Sequence, residues 1–255
     1  MKLADTRAVI SGGVSGLGLA TAGRIVAAGG QVVLLDVDQA HAAAALADLG
    51  PRASFIAVDV TREDQVDAAV GQARAAMGSI NAAVNCAGIG PAARFVGKQG
   101  AMAGEFFRRL IEVNLIGTAL LCKSAAVAMQ GNAPGIDGER GVIVMTASVA
   151  AFEGQIGQVA YAASKGGIVA MTLPMARELA SSGIRVVTIA PGVFLTPMAQ
   201  SLPPDVQQSL AKQVPFPARL GHPEEYASLV AQIVENVMLN GETIRLDGAI
   251  RMPPR

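Results

Sequence analysis

The chain has 255 residues, 51% of them apolar and only 16% charged, which gives it enough material for a substantial core and excludes a disordered polymer. Its 20 lysines and arginines balance 20 aspartates and glutamates, so composition offers no broad basic footprint for nucleic acid or an anionic membrane. Two cysteines, Cys86 and Cys122, make no CxxC or metal-ligand pattern and read as reduced thiols. The first residues, MKLADTRAVISGG, show neither the apolar stretch of a signal peptide nor the arginines of a transit peptide. A soluble, cytoplasmic protein is expected, with neither membrane nor nucleic acid as a partner.

The first apolar run, RAVIS (7–11), leads into SGGVSGLG (11–18) and a helical pattern over 16–28. Gly12, Gly16 and Gly18 lack a Cβ, so the backbone can turn tightly and approach a pyrophosphate seated on the helix N-terminus. The second run, QVVLLD (31–36), ends on Asp36, 20 residues past Gly16, where a carboxylate can accept from both ribose hydroxyls of an adenosine. That carboxylate would repel a 2′-phosphate by about 1 to 4 kcal/mol at contact distance. Neither Leu35 nor Val37 brings a compensating charge, so NAD(H) is the expected cofactor. A helical pattern over 39–48 precedes ASFIAVD (53–59), after which Asp59 and Val60 are placed to hold an adenine edge. A further helix over 62–77 precedes AAVNCAG (82–88), whose Asn85, Cys86, Ala87 and Gly88 would put small groups against the cofactor.

The helical pattern over 104–130 carries Asn114, and the polar, glycine-rich connection 130–140 follows it. GVIVMTA (141–147) is followed directly by Ser148, and the helix expected over 160–182 carries Tyr161 and Lys165, four residues apart and so on one face. IRVVTIA (184–190) opens onto the six-proline connection 191–221, long enough to be a lid or binding loop. A helix over 223–235 and the run ETIRL (242–246) close the chain. The runs are apolar almost throughout, as in strands covered on both faces, and they alternate with helices. The expected fold is α/β: a doubly wound, Rossmann-type, seven-stranded parallel sheet with helices on both faces, in a single domain over 1–255. His41, in an alanine-rich helix, and His222, at a helix start, read as structural residues.

The set SGGVSGLG, Asp36, NCAG, Asn114, Ser148 and YAASK resembles the short-chain dehydrogenase/reductase family over essentially the whole chain, with Ser11 for the usual Thr and Cys86 for the usual Ala. The resemblance implies that Tyr161 is the general acid/base and that Lys165 lowers its pKa and grips the nicotinamide ribose. Ser148 would hold the substrate oxygen and Asn114 would anchor a water relay to Lys165. Hydride would pass directly between substrate and cofactor, so no metal is needed.

Longer runs, from Gly138 to Leu179, Val214 to Val230 and Leu239 to Met252, are similar to the type II, short-chain 3-hydroxyacyl-CoA dehydrogenase subgroup. By that resemblance Ser15, Leu17, Asp36, Asp59, Val60, Cys86, Tyr161, Lys165, Phe194 and Thr196 contact NAD, and Gln155 is a further substrate contact. The implied reaction is the reversible oxidation of an (S)-3-hydroxyacyl-CoA to the 3-oxoacyl-CoA by a homotetramer. A dehydrogenase for another secondary alcohol or a hydroxysteroid, a 3-oxoacyl-thioester reductase, and a non-catalytic scaffold remain as alternatives. Residues 89–105 depart most from the subgroup, which leaves acyl-chain preference open.

Overall fold

The computed structural model describes residues 1–98, 100–200 and 203–254. Seven strands pair in parallel: β1 (Arg7–Ser11), β2 (Gln31–Asp36), β3 (Ala53–Ala57), β4 (Ala82–Asn85), β7 (Gly141–Thr146), β8 (Ile184–Pro191) and β9 (Thr243–Leu246). Their spatial order is β3-β2-β1-β4-β7-β8-β9. Successive strands move outward from β1 in one direction and then, from β4, in the other. The reversal between β1 and β4 opens the crevice in which doubly wound sheets bind ligands. A small antiparallel hairpin, β5 (Val96–Gly97) and β6 (Gly100–Ala101), lies outside this sheet in the segment after β4.

Both faces of the sheet are covered, and the strands alternate between them. Val9, Val33, Leu35, Ile143 and Met145 pack into the layer formed with α3 (Glu63–Met77), α5 (Gly117–Gln130) and α7 (Val159–Leu179). Ile10, Val32, Leu34, Val142 and Val144 pack into the opposite layer, with α1 (Gly16–Ala27), α2 (Gln39–Leu49) and α10 (Pro223–Glu235). Two apolar layers explain why the runs do not alternate between apolar and polar. The expectation of full burial fails at the edges: β3 and β9, each with one neighbour, are partly exposed along most of their length.

Two other expectations change. The 104–130 pattern is α4 (Gly104–Ile111), a π-helical turn over Glu112–Ile116, and then α5. By length and composition Gly104–Gln130 could cross a membrane, yet α5 is packed into the core through Leu121, Cys122, Ala125 and Met129. The 191–221 connection holds two helices, α8 (Pro197–Gln200) and α9 (Pro204–Gln213), where proline sits at the first helical position and its missing N–H costs nothing. A short α6 (Ala150–Glu153) sits between β7 and α7.

Candidate active site

Ser11, at the end of β1, ties two glycine-bearing segments together. Its carbonyl accepts from Cys86 N at 3.0 Å and its hydroxyl from Ala87 N at 3.3 Å. Gly12 follows with φ +62°, and a Cβ there would lie 2.7 Å from Ala87 N, so only glycine lets the chain turn against the end of β4. A Cβ on Gly18 would lie 2.2 Å from the Gly12 carbonyl oxygen, a clash with backbone that no rotamer change relieves. We expect Gly18→Ala to destabilise the protein by about 1 to 3 kcal/mol as an overpacking substitution. Chemical denaturation checks this, and an unchanged midpoint would show that the loop is looser than its geometry. Gly16 and Leu17 open α1, and Ser15 is its exposed N-cap, making no capping bond through its hydroxyl.

Asp36, the last residue of β2, reaches the same loop: its Oδ2 lies 3.4 Å from Val14 N, and its Oδ1 accepts from Asp38 N at 3.1 Å. Asp59 is turned inward by Thr61, whose backbone N–H and hydroxyl both donate to its Oδ1, at 3.0 and 2.7 Å. Those bonds to Thr61 hold its carboxyl below the usual range. Val60 is buried against Gly117 on α5. Strand alternation separates Asn85 from Cys86: the Asn85 amide points into the α5 layer, 3.4 Å from Cys122 Sγ, whereas Cys86 faces Tyr226 in the opposite layer. Phe194 and Thr196 lie at the root of the 191–221 connection, which is clamped by a bridge between Phe194 and Gly221, with Leu195 N donating to Gly221 O at 2.8 Å. Thr196 and Pro197 come down over Gly16.

The reacting end is built by β7, the π turn and α7. Past Thr146 the β7–β8 ladder continues through Ala147 N to Ile189 O at 2.8 Å and Val149 N to Pro191 O at 3.0 Å, which fixes Ser148 between two held residues. Tyr161 stands in the first turn of α7, close enough to Ser148 for that serine to act on its phenol. Lys165, one turn on, is buried, with Nζ 5.8 Å from the centre of the Tyr161 ring and donating to Thr146 O at 2.9 Å. Asn114 accepts from Ile89 N at 2.8 Å and donates to Ile89 O at 2.9 Å and to Ser164 Oγ at 3.1 Å. Ser164 in turn donates to the Tyr161 carbonyl at 2.7 Å. The π turn thus pins both the segment after β4 and the start of α7, the kind of site where such turns recur. Gly88 lies between Asn114 Oδ1 and Lys165 Nζ, where a Cβ would come within 3.2 and 3.5 Å of them.

Burial sets the charges. Loss of water pushes the Tyr161 phenol above its ordinary value, and the hydrogen bond from Ser148 pulls it partly back. Burial thus outweighs the lowering expected from Lys165, and Lys165 is itself brought down to about 8, because burial disfavours its ammonium. Gln155 is half-buried: its Nε2 donates to Pro253 O at 3.1 Å, and Ile156 N donates to Pro254 O at 3.0 Å, so the C-terminal residues lie along this loop. His41 is exposed beside Asp38, and His222 caps α10, where Glu225 accepts from its backbone N at 2.7 Å. Several groups here have no motif to announce them. They are Ser164, the Thr146 carbonyl, and Met198 of α8, whose sulfur would meet a Cβ on Gly90 at 2.9 Å, beside Tyr161.

Residues 6–207 match the family described as short chain dehydrogenase. The 3-hydroxyacyl-CoA dehydrogenase type-2 of Bos taurus is 55% identical over 97% of this chain and 95% of its own length. The enzyme of the same name from Drosophila melanogaster is 50% identical over 96% of this chain and 97% of its own. The crystal structure of a 3-hydroxyacyl-CoA dehydrogenase type-2 from Mycobacterium avium superposes with a TM-score of 0.92 at 42% identity, covering 98% of this chain and 97% of that one. With the glycine loop, the π-anchored asparagine and the Ser148–Tyr161–Lys165 cluster on one crevice, the chain belongs to the short-chain dehydrogenase family.

Proposed function

We propose that the protein is an NAD-dependent oxidoreductase that interconverts an (S)-3-hydroxyacyl-CoA and its 3-oxoacyl-CoA. The observation that carries this reading is the Ser148–Tyr161–Lys165 cluster in a chain that is 55% identical, over nearly its full length, to a 3-hydroxyacyl-CoA dehydrogenase type-2. The crevice fits a dinucleotide. Gly12 and Gly18 leave a backbone cradle that a Cβ would fill, and the Asp36 carboxylate stands at the end of β2 beside it. In that crevice NAD would supply the hydride acceptor for alcohol oxidation and, reduced, the hydride donor for carbonyl reduction. Ser148 Oγ holds the substrate oxygen, and Tyr161 Oη gives it a proton in reduction or takes one in oxidation. The Lys165 ammonium, held by the Thr146 carbonyl, stands beside the phenol and favours its ionised form. Lys165 is buried, which strengthens its field at the phenol.

Asp36→Ala tests the cofactor assignment. The preference for NADH over NADPH, as a ratio of kcat/KM, should fall roughly tenfold to several-hundredfold, the kinetic equivalent of removing a 1 to 4 kcal/mol repulsion. An unchanged ratio would move cofactor selection elsewhere. Acyl-CoAs of increasing chain length, assayed with NAD and NADP, test the substrate. Turnover confined to steroid or cyclic alcohols would favour the alternative reading of a different short-chain dehydrogenase. We further propose a cytoplasmic homotetramer, supported by the exposed apolar residues Ile116 and Val127 on the 112–130 run and Val159 and Leu173 on α7. Sedimentation decides the assembly.

A further inference from the structure

The chain has two tyrosines, and the second, Tyr226 on α10, has no place in the chemistry above. It is fully buried in the layer of Val142, Val144 and Val230, where phenylalanine would fill the same space. Instead its hydroxyl lies 2.7 Å from Thr146 Oγ1. The Cys86 thiol lies beside both, with Sγ 3.8 Å from Tyr226 Oη and 3.7 Å from Thr146 Oγ1. Three polar groups, from the end of β4, from β7 and from α10, thus meet at an apolar layer; Tyr226 and Thr146 are buried and depend on each other, while Cys86 is half-buried beside them.

The position of this cluster gives it a consequence. Thr146 is the last residue of β7, and its carbonyl is the one that accepts from Lys165 Nζ at 2.9 Å. One residue therefore carries the strut on its side chain and the lysine on its backbone. The charged and titratable neighbours of Lys165 are Tyr161, on its own helix, and Cys86, across the crevice. Burial pushes the Cys86 thiol up to about 11 and raises Tyr226 well above its usual value, so the strut itself stays uncharged at neutral pH.

We propose that Tyr226 is a positioning residue: its hydroxyl fixes Thr146 at the end of β7, and with it the carbonyl that holds the Lys165 ammonium beside Tyr161. The proposal rests on the oxidoreductase reading of that cluster. The rival explanation is that the β7–β8 ladder, which continues past Thr146 through Ala147 N to Ile189 O, holds the carbonyl alone.

Tyr226→Phe and Thr146→Val each remove one end of the strut. With acetoacetyl-CoA and NADH, each should lower kcat by roughly ten- to a hundredfold, as expected for a small misplacement of a catalytic group, with KM for the acyl-CoA unchanged. The double variant should be no slower than the slower single, because both remove the same interaction. Thermal melting confirms that the variants are folded at the assay temperature. A second readout needs no turnover: NMR titration of 13Cε-labelled lysine, with the Lys165 signal identified by its loss in Lys165→Arg. In the parent protein Lys165 should titrate near about 8, and in both single variants lower, because the ammonium loses its fixed acceptor. Folded variants with unchanged kcat and an unmoved or raised Lys165 titration would overturn the proposal, as would losses that multiply in the double variant. If the parent protein fails to turn over acetoacetyl-CoA, the substrate reading falls, and the lysine titration still decides this one.

Discussion

Tyr161→Phe should lower turnover by about 10²- to 10⁴-fold, the range removed with a positioned general acid/base, while leaving the fold intact. The phenyl ring keeps its place in the first turn of α7 and its packing beside Gly90 and Lys165. Only the hydroxyl that faces Ser148 is lost. A loss of that size with an unchanged melting temperature separates chemistry from stability, and full activity in Tyr161→Phe would remove the phenol from the mechanism. The direction of the pH dependence follows from the raised phenol. Carbonyl reduction needs the proton on Tyr161 and should persist through neutral pH, then fall as the phenol ionises. Alcohol oxidation needs the proton off and should rise over the same alkaline range.

Arg185→Met should cost about 3 to 5 kcal/mol of stability, because it removes a guanidinium that pairs with a buried carboxylate and caps three carbonyls, leaving Glu139 only the N-terminal ammonium, 2.8 Å from its Oε2. Arg185 on β8 and Glu139, from the connection before β7, are both almost fully buried, with Arg185 donating to Glu139 Oε1 from Nη2 at 2.7 Å and from Nε at 2.9 Å. The same guanidinium donates to Ile233 O and Val234 O at the end of α10 and to Leu239 O beyond it, at 2.8 to 3.1 Å. The first two are carbonyls that a helix end otherwise leaves unsatisfied. The thermal midpoint should drop by roughly 6 to 20 °C for a domain of this size. A midpoint shift of about a degree would show that water reaches Glu139 when the arginine is gone.

Much of the fold was legible because its strands are buried on both faces. Runs such as QVVLLD and GVIVMT carry apolar side chains to two layers at once, and a glycine loop or a loop-borne polar residue follows them. What periodicity could not show was a change of helical pitch. One extra residue in the turn at Glu112–Ile116 leaves the apolar pattern of 104–130 almost unaltered, yet it points Asn114 at Ile89 and Ser164. The helices α8 and α9 in the 191–221 connection were hidden by prolines, which serve there as helix starts.

The site was legible as residue types and less so as electrostatics. Tyr161 and Lys165 are four apart on one face, so their proximity follows from helix geometry. The direction of the Tyr161 shift depends on burial, which spacing does not encode. Tyr226 illustrates the same limit: it lies 80 residues from Thr146, and no local pattern links a phenol on the last helix to the carbonyl that holds the catalytic lysine.

The most direct test of the proposed activity is the rate of NADH oxidation on acetoacetyl-CoA by the purified protein and by Tyr161→Phe. The account predicts NADH-dependent turnover, weaker with NADPH, that falls by at least about a hundredfold in Tyr161→Phe. No turnover of acetoacetyl-CoA alongside rapid turnover of a steroid or cyclic ketone, or equal rates for the two proteins, would contradict it.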